Sequence, residues 1–245
     1  MSLNTPGLVI REQTVRENDR LITILTKEYG IIRAIVYGAK KLVSSKSAST
    51  QLFAFSDFSI SSRKDSYTVE HAVPKEMFFE LRSDIESLSL AQYFAQLEEE
   101  LAPAGENADE YLRLMLNSLH MLSSKNRPIK QIKAIFELRI LSLSGYMPDI
   151  MMCSGCGKYD DEIIFFSHND GTITCSQCVS SKTGVQISKG ILHAMRHICY
   201  SEHEKIYNFS LSEESIESLS KLTEDYLFTK VRRKFKTLDF FYSII

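Results

Sequence analysis

Four of the five cysteines fall into two closely spaced pairs, a pattern typical of a metal site. The pairs are Cys153-Ser154-Gly155-Cys156 and Cys175-Ser176-Gln177-Cys178, with eighteen residues between them. Each C-x-x-C segment can turn two thiolates toward one point, and a set of four thiolates leaves no open coordination position. The spacing therefore predicts one structural Zn²⁺ per chain, bound by Cys153, Cys156, Cys175 and Cys178. A thiol-redox pair and unliganded thiols are the alternatives.

The segment between the cysteine pairs has the pattern of a small hairpin. Residues 162–167 and 171–174 resemble short strands, and Asn169-Asp170-Gly171 is a turn sequence. We therefore expect residues 150–182 to form a zinc-ribbon-like insert. Zinc ribbons occur in many classes of protein, so this insert does not by itself assign a function.

Two groups of basic residues are candidates for binding phosphates. The first is a lysine loop after the third predicted strand, where no acidic residue occurs between Gly38 and Ser56; its cations are Lys40, Lys41 and Lys46. The second holds five cations in residues 230–236, of which we take Lys230, Arg232 and Arg233 as candidates for binding DNA. The alternatives are a solvated loop for the first and a helix end that complements the helix dipole for the second. Because the chain has no Trp, base stacking would need Tyr29, Tyr37 or Phe53.

A third basic group suggests a peptide site. Lys130 and Lys133 share one face of a predicted helix, beside the apolar residues Ile132, Ile135 and Phe136. Cations that border an apolar groove suit an acidic peptide with an aromatic residue. A solvated helix face is the alternative.

The first third of the chain has the pattern of a small barrel. Five segments rich in β-branched or aromatic residues are predicted strands, at residues 8–10, 20–26, 31–37, 53–60 and 67–73. In the fourth, Phe53 and Phe55 alternate out of phase with Phe58 and Ile60, which indicates a β-bulge near Ser56-Asp57. Five short curved strands predict an OB-type barrel in residues 1–78.

After Pro74 the apolar residues recur with the period of a helix. Stripes at 81–101 and 111–122 predict two helices, Pro128 starts a third, and Ser188 and Ser212 can cap two more. We therefore predict a multidomain α+β protein: an N-terminal small OB-type barrel, then an α-helical domain at 79–245 that carries the inserted four-cysteine hairpin.

Composition and motifs favour a binding protein over an enzyme. The 245 residues include 29 Lys plus Arg and 31 Asp plus Glu, a net charge of −2, which excludes a globally basic nucleic-acid-binding chain. We find no phosphate-binding loop, dinucleotide fingerprint, nucleophile elbow or HExxH motif. No apolar run approaches the roughly 18 residues of a membrane span, and the first residues do not resemble a secretory signal. We expect a cytoplasmic protein with no membrane partner.

Three segments of the sequence resemble the RecO family of bacterial recombination mediators. They are residues 17–30 (ENDRLITILTKEYG), 38–41 (GAKK) and 141–149 (LSLSGYMPD), the last of which precedes the cysteines. The likeness extends through most of the chain and is weaker over 183–245. Some family members lack the four cysteines that this sequence has.

The resemblance implies a function in DNA repair and homologous recombination, in the bacterial cytoplasm with the nucleoid. It implies binding to single- and double-stranded DNA, annealing of complementary strands, and contact with the acidic C-terminal tail of the single-strand-binding protein. It also implies partnership with RecR in loading the recombinase. Carried over to this sequence, the DNA face would include Arg20, Arg33, Lys40, Lys41 and Lys46. The rival functions are an RNA-binding or ribosome-associated zinc-ribbon protein and a nucleic-acid-modifying enzyme that uses the barrel for binding.

Overall fold

The computed structural model describes residues 2–40, 46–63, 66–179 and 184–245. The chain forms two compact units, one made of Met1–Ser124 with Phe235–Ile245 and the other of Lys125–Lys234. The boundary expected between residues 78 and 79 stays a prediction. Lys41 of the lysine loop lies outside the described residues.

The N-terminal part of the first unit is a closed barrel of five strands in the order β1-β2-β3-β5-β4. The strands are β1 (Ser2–Thr14), β2 (Arg20–Thr26), β3 (Gly30–Val36), β4 (Ala54–Arg63) and β5 (Ser66–Met77). Neighbours are antiparallel except β3 and β5, which are parallel. The predicted OB-type barrel is therefore confirmed.

The barrel interior is filled by side chains that alternate along the strands. Ile22 and Ile24 of β2 face this core, and so do Ile32 of β3 and Phe58 and Ile60 of β4. The pairing of β4 with β5 shifts between Phe55 and Ser56, next to the position where the sequence predicts a β-bulge.

The described part of the chain beyond the barrel is mainly helical. Its α-helices are α1 (Ile85–Leu101), α2 (Asp109–Ser124), α3 (Ile129–Leu141), α4 (Lys189–Tyr200), α5 (Glu213–Val231) and α6 (Lys236–Ile244). Ser188 and Ser212 cap α4 and α5, because their side-chain oxygens accept hydrogen bonds from the backbone N–H groups of Ile191 and Ser215. No helix in the described ranges is both long enough and apolar enough to cross a membrane.

In the first unit, α1 packs against α2 and α6, and α1 and α2 also contact β1. The break between α1 and α2 is held to the barrel by main-chain bonds: the Ile31 N–H donates to the Pro103 carbonyl at 2.9 Å, and the Gly105 N–H donates to Tyr29 at 3.0 Å. Gly30 lies at this contact with a φ of 60°, and an added Cβ would lie 2.0 Å from the Pro103 oxygen. The β2–β3 turn therefore needs glycine at this position.

The second unit combines α3, α4 and α5 with a small three-stranded sheet. Its strands pair in the order β7-β6-β8 and are β6 (Ile164–Ser167), β7 (Thr172–Cys175) and β8 (Val185–Ile187). The antiparallel β6–β7 pair is the hairpin expected between the two cysteine pairs. Gly145, with a φ of 85°, lies in the π-helical turn Ser142–Tyr146 that follows α3. The sequence predicts that α3 ends near this glycine.

Candidate functional site

The four paired cysteines converge in the second unit. Their Sγ atoms all lie within 4.8 Å of one another, and those of Cys156 and Cys175 are 3.7 Å apart. A Zn–S distance of about 2.3 Å puts the sulfur atoms of a tetrahedral site about 3.8 Å apart. The donor set and its spacing therefore fit a four-coordinate metal ion, and these residues can hold one.

Main-chain hydrogen bonds shape each cysteine pair into a tight turn. The Gly157 N–H donates to the Cys153 carbonyl at 2.9 Å, and the Cys178 N–H donates to the Cys175 carbonyl at 3.1 Å. The first turn is tied to the hairpin, since the Ser154 N–H donates to the Ile173 carbonyl at 2.9 Å. The sequence therefore brings the four thiols together through local turns and one strand pair.

Main-chain donors also favour the thiolate of Cys153. Burial raises the pKa of this thiol, but hydrogen bonds from the backbone of Cys175, Cys156 and Gly155 outweigh burial and lower the pKa from 9.0 to about 6. The Cys175 N–H lies 3.3 Å from the Cys153 sulfur. A thiolate is the form that binds a metal, so this arrangement favours the form of Cys153 that could serve as a ligand.

Arg196 of α4 supports the loop around the first cysteine pair, a contact that the sequence analysis missed. Its guanidinium donates to the carbonyls of Ile150, Met151 and Tyr159 at 2.6–2.9 Å, and to the Asp160 carboxylate at 3.0 Å. It also stacks 4.0 Å from the centroid of the Tyr159 ring. One buried side chain thus satisfies several loop carbonyls at once. Arg196 is one of several basic residues on α4, beside Lys189, His193 and His197, so the sequence gives no signal for that role.

The barrel presents two neighbouring arginines at its outer surface, Arg11 on β1 and Arg33 on β3. The Arg33 guanidinium lies 2.7 Å from the Glu99 carboxylate, and Arg11, which the sequence analysis did not single out, lies 3.1 Å from the same group. The side chains of Arg33 and Arg11 are 62% and 51% exposed. Arg33 is therefore an accessible member of the predicted DNA face, and Arg11 lies beside it.

The lysine loop borders the same barrel. The Lys40 Nζ donates to Thr14 Oγ1 at 2.6 Å, and the Lys46 Nζ donates to the Val69 carbonyl at 3.2 Å. Arg20 differs from these cations, because its side chain is only 10% exposed and pairs with Glu12 at 3.5 Å. Arg20 also donates to the Ser47 carbonyl and to Thr50 Oγ1, so it holds the chain that follows the lysine loop. We therefore leave Arg20 out of the DNA face.

The second basic group lies at the end of α5. The Lys230 Nζ donates to the Asn169 carbonyl at 2.7 Å, which ties the β6–β7 turn to the helix. Arg232 is the C-cap of α5 in the left-handed conformation, and both Arg232 and Arg233 are exposed. Their role in DNA binding stays a prediction.

The predicted peptide site is corrected by the structure. Lys133 is fully buried and pairs with Glu137 at 2.9 Å and with Glu224 at 2.7 Å. The apolar stripe beside it is core, since Ile132, Ile135 and Phe136 are also fully buried. Lys130 remains at the surface, where it pairs with Glu217 at 2.5 Å. The two lysines therefore do not form an accessible cationic face along an open groove.

Comparison with known proteins covers nearly the whole chain. The family model for the recombination protein O N terminal matches residues 1–78, and the model for its C terminal matches residues 82–239. The chain is 34% identical to the DNA repair protein RecO of Acetivibrio thermocellus over 239 residues, which cover 97% of this chain and 95% of that protein. It is 29% identical to the protein of that name from Alkaliphilus metalliredigens, over 95% of each chain. For the RecO of Caldicellulosiruptor bescii the identity is 28%, over 98% of this chain and 97% of that one. With its barrel, its helices and this full-length likeness, the chain belongs to the RecO family.

Proposed function

We propose that this chain is a DNA-repair and recombination mediator that binds single- and double-stranded DNA and anneals complementary strands. The observation that carries the proposal is the closed OB-type barrel with accessible cations, in a chain that matches the family over residues 1–78 and 82–239. Its relatives carry the name DNA repair protein RecO. Binding and charge neutralisation are sufficient for annealing, so the proposal requires no catalytic residue.

The barrel offers the two kinds of contact that a single strand needs. Arg33, Lys40 and Lys46 supply cations for phosphates, and their local charge matters because the chain as a whole is slightly acidic. Tyr37 follows β3 and is 50% exposed, so its ring is open to a base. Phe53 is buried and Tyr29 packs against the barrel core, which leaves Tyr37 as the best stacking residue of the three.

We propose that annealing follows from phosphate neutralisation on two strands at once. Each strand repels its complement through its phosphates, and cations that bind both strands lower this repulsion while base pairing begins. The family membership supports two further proposals: binding of the single-strand-binding protein's C-terminal tail, and cooperation with RecR in loading the recombinase.

We further propose that the metal held by the four cysteines is a structural Zn²⁺. Four thiolates with the observed spacing suit Zn²⁺ and leave no position for a substrate. When bound, the ion would supply cross-links between the two cysteine turns, and the surrounding hairpin is too short to be stable alone.

Annealing of complementary strands coated with single-strand-binding protein tests the function. We expect the purified chain to speed annealing, and the triple variant Lys40→Ala, Lys41→Ala and Lys46→Ala to bind DNA more weakly whatever its sequence. A plot of the logarithm of the binding constant against the logarithm of the salt concentration should have a shallower slope. For single strands, we expect the slope to change by up to about 0.7 for each phosphate contact that is lost. The matched control is Lys75→Ala, Lys205→Ala and Lys221→Ala, which removes the same charge elsewhere.

Three results would contradict these proposals. Absence of DNA binding at low salt would reject the function. Equal effects of the two triple variants would reject the placement at the lysine loop. A strong preference for RNA over DNA would favour a ribosome-associated protein instead.

A further inference from the structure

Two arginines from different strands of the barrel meet at one carboxylate. The Arg11 Nη1 lies 3.1 and 3.3 Å from the two oxygens of Glu99, and the Arg33 Nη2 lies 2.7 Å from one of them. Glu99 comes from α1, so the three side chains are brought together only by the packing of that helix on the barrel. The carboxylate marks a position where both guanidinium groups can bind one anion.

The strand register sets this arrangement. Arg11 lies opposite Thr23, and Thr23 lies opposite Arg33, so the three residues form a row across β1, β2 and β3. The pairing of β1 shifts between Val9 and Arg11. This bulge lets Val9 face the barrel core while Arg11, two residues later, faces outward. Both arginines therefore extend from a rigid sheet.

Helix stability gives no reason for a glutamate at this position. The last turn of α1 contains Glu98, Glu99 and Glu100, and negative charge is unfavourable at the carbonyl end of a helix. The Glu99 side chain is only 18% exposed, whereas the arginines remain more than half exposed. The anion site is thus filled by the chain itself, while its cations stay open to solvent. A shallow cavity of about 110 Å³ lies here, lined by Arg11, Gln13, Leu21, Thr23, Arg33 and Glu99.

We propose that Arg11 and Arg33 form a phosphate-binding subsite for a nucleic-acid strand, and that the Glu99 carboxylate occupies this subsite until a phosphate displaces it. The inference rests on the proposed DNA-binding function. Guanidinium groups grip carboxylates and phosphates with the same paired hydrogen bonds, so one group can replace the other. The arginine side of the pair is open to water, where ion pairs are weak, so a phosphate can replace the carboxylate at a small cost in free energy.

The position of the subsite lets one strand reach the lysine loop as well. Lys40 bonds to Thr14, three residues along β1 from Arg11, or about 10 Å at the usual rise of a strand. Thr14 and Arg11 lie on opposite faces of β1, so a nucleic-acid strand that contacts both Lys40 and the two arginines would cross the end of β1. A small anion would contact either the arginine pair or Lys40, whereas a long polyanion would contact both, so competition with Glu99 favours long polyanions over isolated anions.

Binding of a labelled oligothymidine of about 30 nucleotides, followed by fluorescence anisotropy at low salt, tests the subsite. We expect Glu99→Gln to tighten binding by about three- to tenfold, because the strand no longer has to displace a carboxylate. The control Glu100→Gln removes the same charge from the neighbouring residue and should change the affinity less than about twofold. We expect Arg11→Ala to weaken binding, and to do so more strongly in the Glu99→Gln background.

The variant Arg11→Ala still tests the subsite if Glu99→Gln destabilises α1, because Arg11 is a half-exposed surface residue that lies outside that helix. Its control is Arg113→Ala, which removes an arginine of similar exposure from an ion pair with Asp109 on α2. Equal effects of the two glutamine variants, or of the two alanine variants, would overturn the subsite. If the wild-type chain binds the oligonucleotide and the lysine-loop variant weakens binding, such a result rejects the subsite alone. Failure of the wild-type chain to bind rejects the proposed function and the subsite with it.

Discussion

At the scale of single residues, the second unit contains a buried charge with several partners. Inside the contact of α3 with α5, Lys133 lies between the carboxylates of Glu137 and Glu224, and Thr223 Oγ1 donates to Glu137 at 2.7 Å. A buried cation with this many partners is satisfied, and removing one partner leaves an uncompensated charge. Lys133 therefore holds two helices of the second unit together.

Glu98 is the opposite case. It is fully buried on α1, and neither carboxyl oxygen has a hydrogen-bond partner among the described residues. Burial raises its pKa well above the usual value, because the carboxylate has lost its water and gained no donor. The folded chain therefore prefers the protonated form of Glu98.

We predict that Glu98→Met stabilises the first unit at pH 8 by at least about 1 kcal/mol. With a raised pKa in the folded state, Glu98 favours folding most below its unfolded-state pKa of about 4.3, and this contribution is lost as the pH rises toward the folded-state value. The gain from Glu98→Met should therefore grow from pH 5 to pH 8. Urea unfolding of both chains across this range measures it, and a difference that does not depend on pH would contradict the protonation argument.

At the scale of elements, the cysteine turns depend on two glycines for different reasons. An added Cβ at Gly155 would lie 2.8 Å from the Cys178 Cβ and 3.0 Å from its sulfur. Gly157 has a φ of 74°, but its added Cβ would have only the Met152 sulfur within 4 Å, at 3.9 Å. Gly155 therefore allows the two turns to approach, whereas Gly157 only relieves local backbone strain.

We predict that Gly155→Ala weakens metal binding by at least about tenfold, because Cys178 must move away from the other three sulfur atoms. Gly157→Ala should cost about 1–2 kcal/mol of backbone strain and retain the metal. Competition with a chromophoric chelator measures both affinities. Equal losses in the two variants would show that the close approach at Gly155 does not matter.

At the scale of the whole molecule, the chain consists of two units with different sources of stability. The first has a closed barrel and its own apolar core. The second contains the four-cysteine cluster, whose hairpin strands are four residues each. Strands this short need further support to persist in water.

We predict that the purified chain contains one zinc ion and that a strong chelator destabilises the second unit selectively. Without metal, the backbone amides of residues 164–175 should lose protection from hydrogen exchange, while those of the barrel strands keep it. Elemental analysis and hydrogen-exchange mass spectrometry measure the two effects. Metal-free folded protein, or equal loss of protection in both units, would contradict the prediction.

The sequence by itself determines the features that depend on neighbours along the chain. The strands of the barrel follow from local runs of β-branched and aromatic residues, and α4 and α5 begin where Ser188 and Ser212 cap them. The convergence of the four cysteines is equally local, since it needs two turns and the hairpin between them. The sequence does not predict helix α6, because the basic residues before and at its N-terminus resemble the cationic C-terminal end of the preceding helix.

Only the tertiary structure decides which cations are accessible. The period of α3 places Lys133 beside an apolar stripe, but its burial depends on carboxylates that include Glu224, 91 residues further along the chain. Alternation along β1 would put Arg11 on the same side as Val9, and the bulge between them reverses this. Arg11 and Arg33 meet Glu99 across 88 and 66 residues. Periodicity specifies the face of an element that a side chain occupies, but the partner on the opposite face comes from packing, which no local pattern encodes.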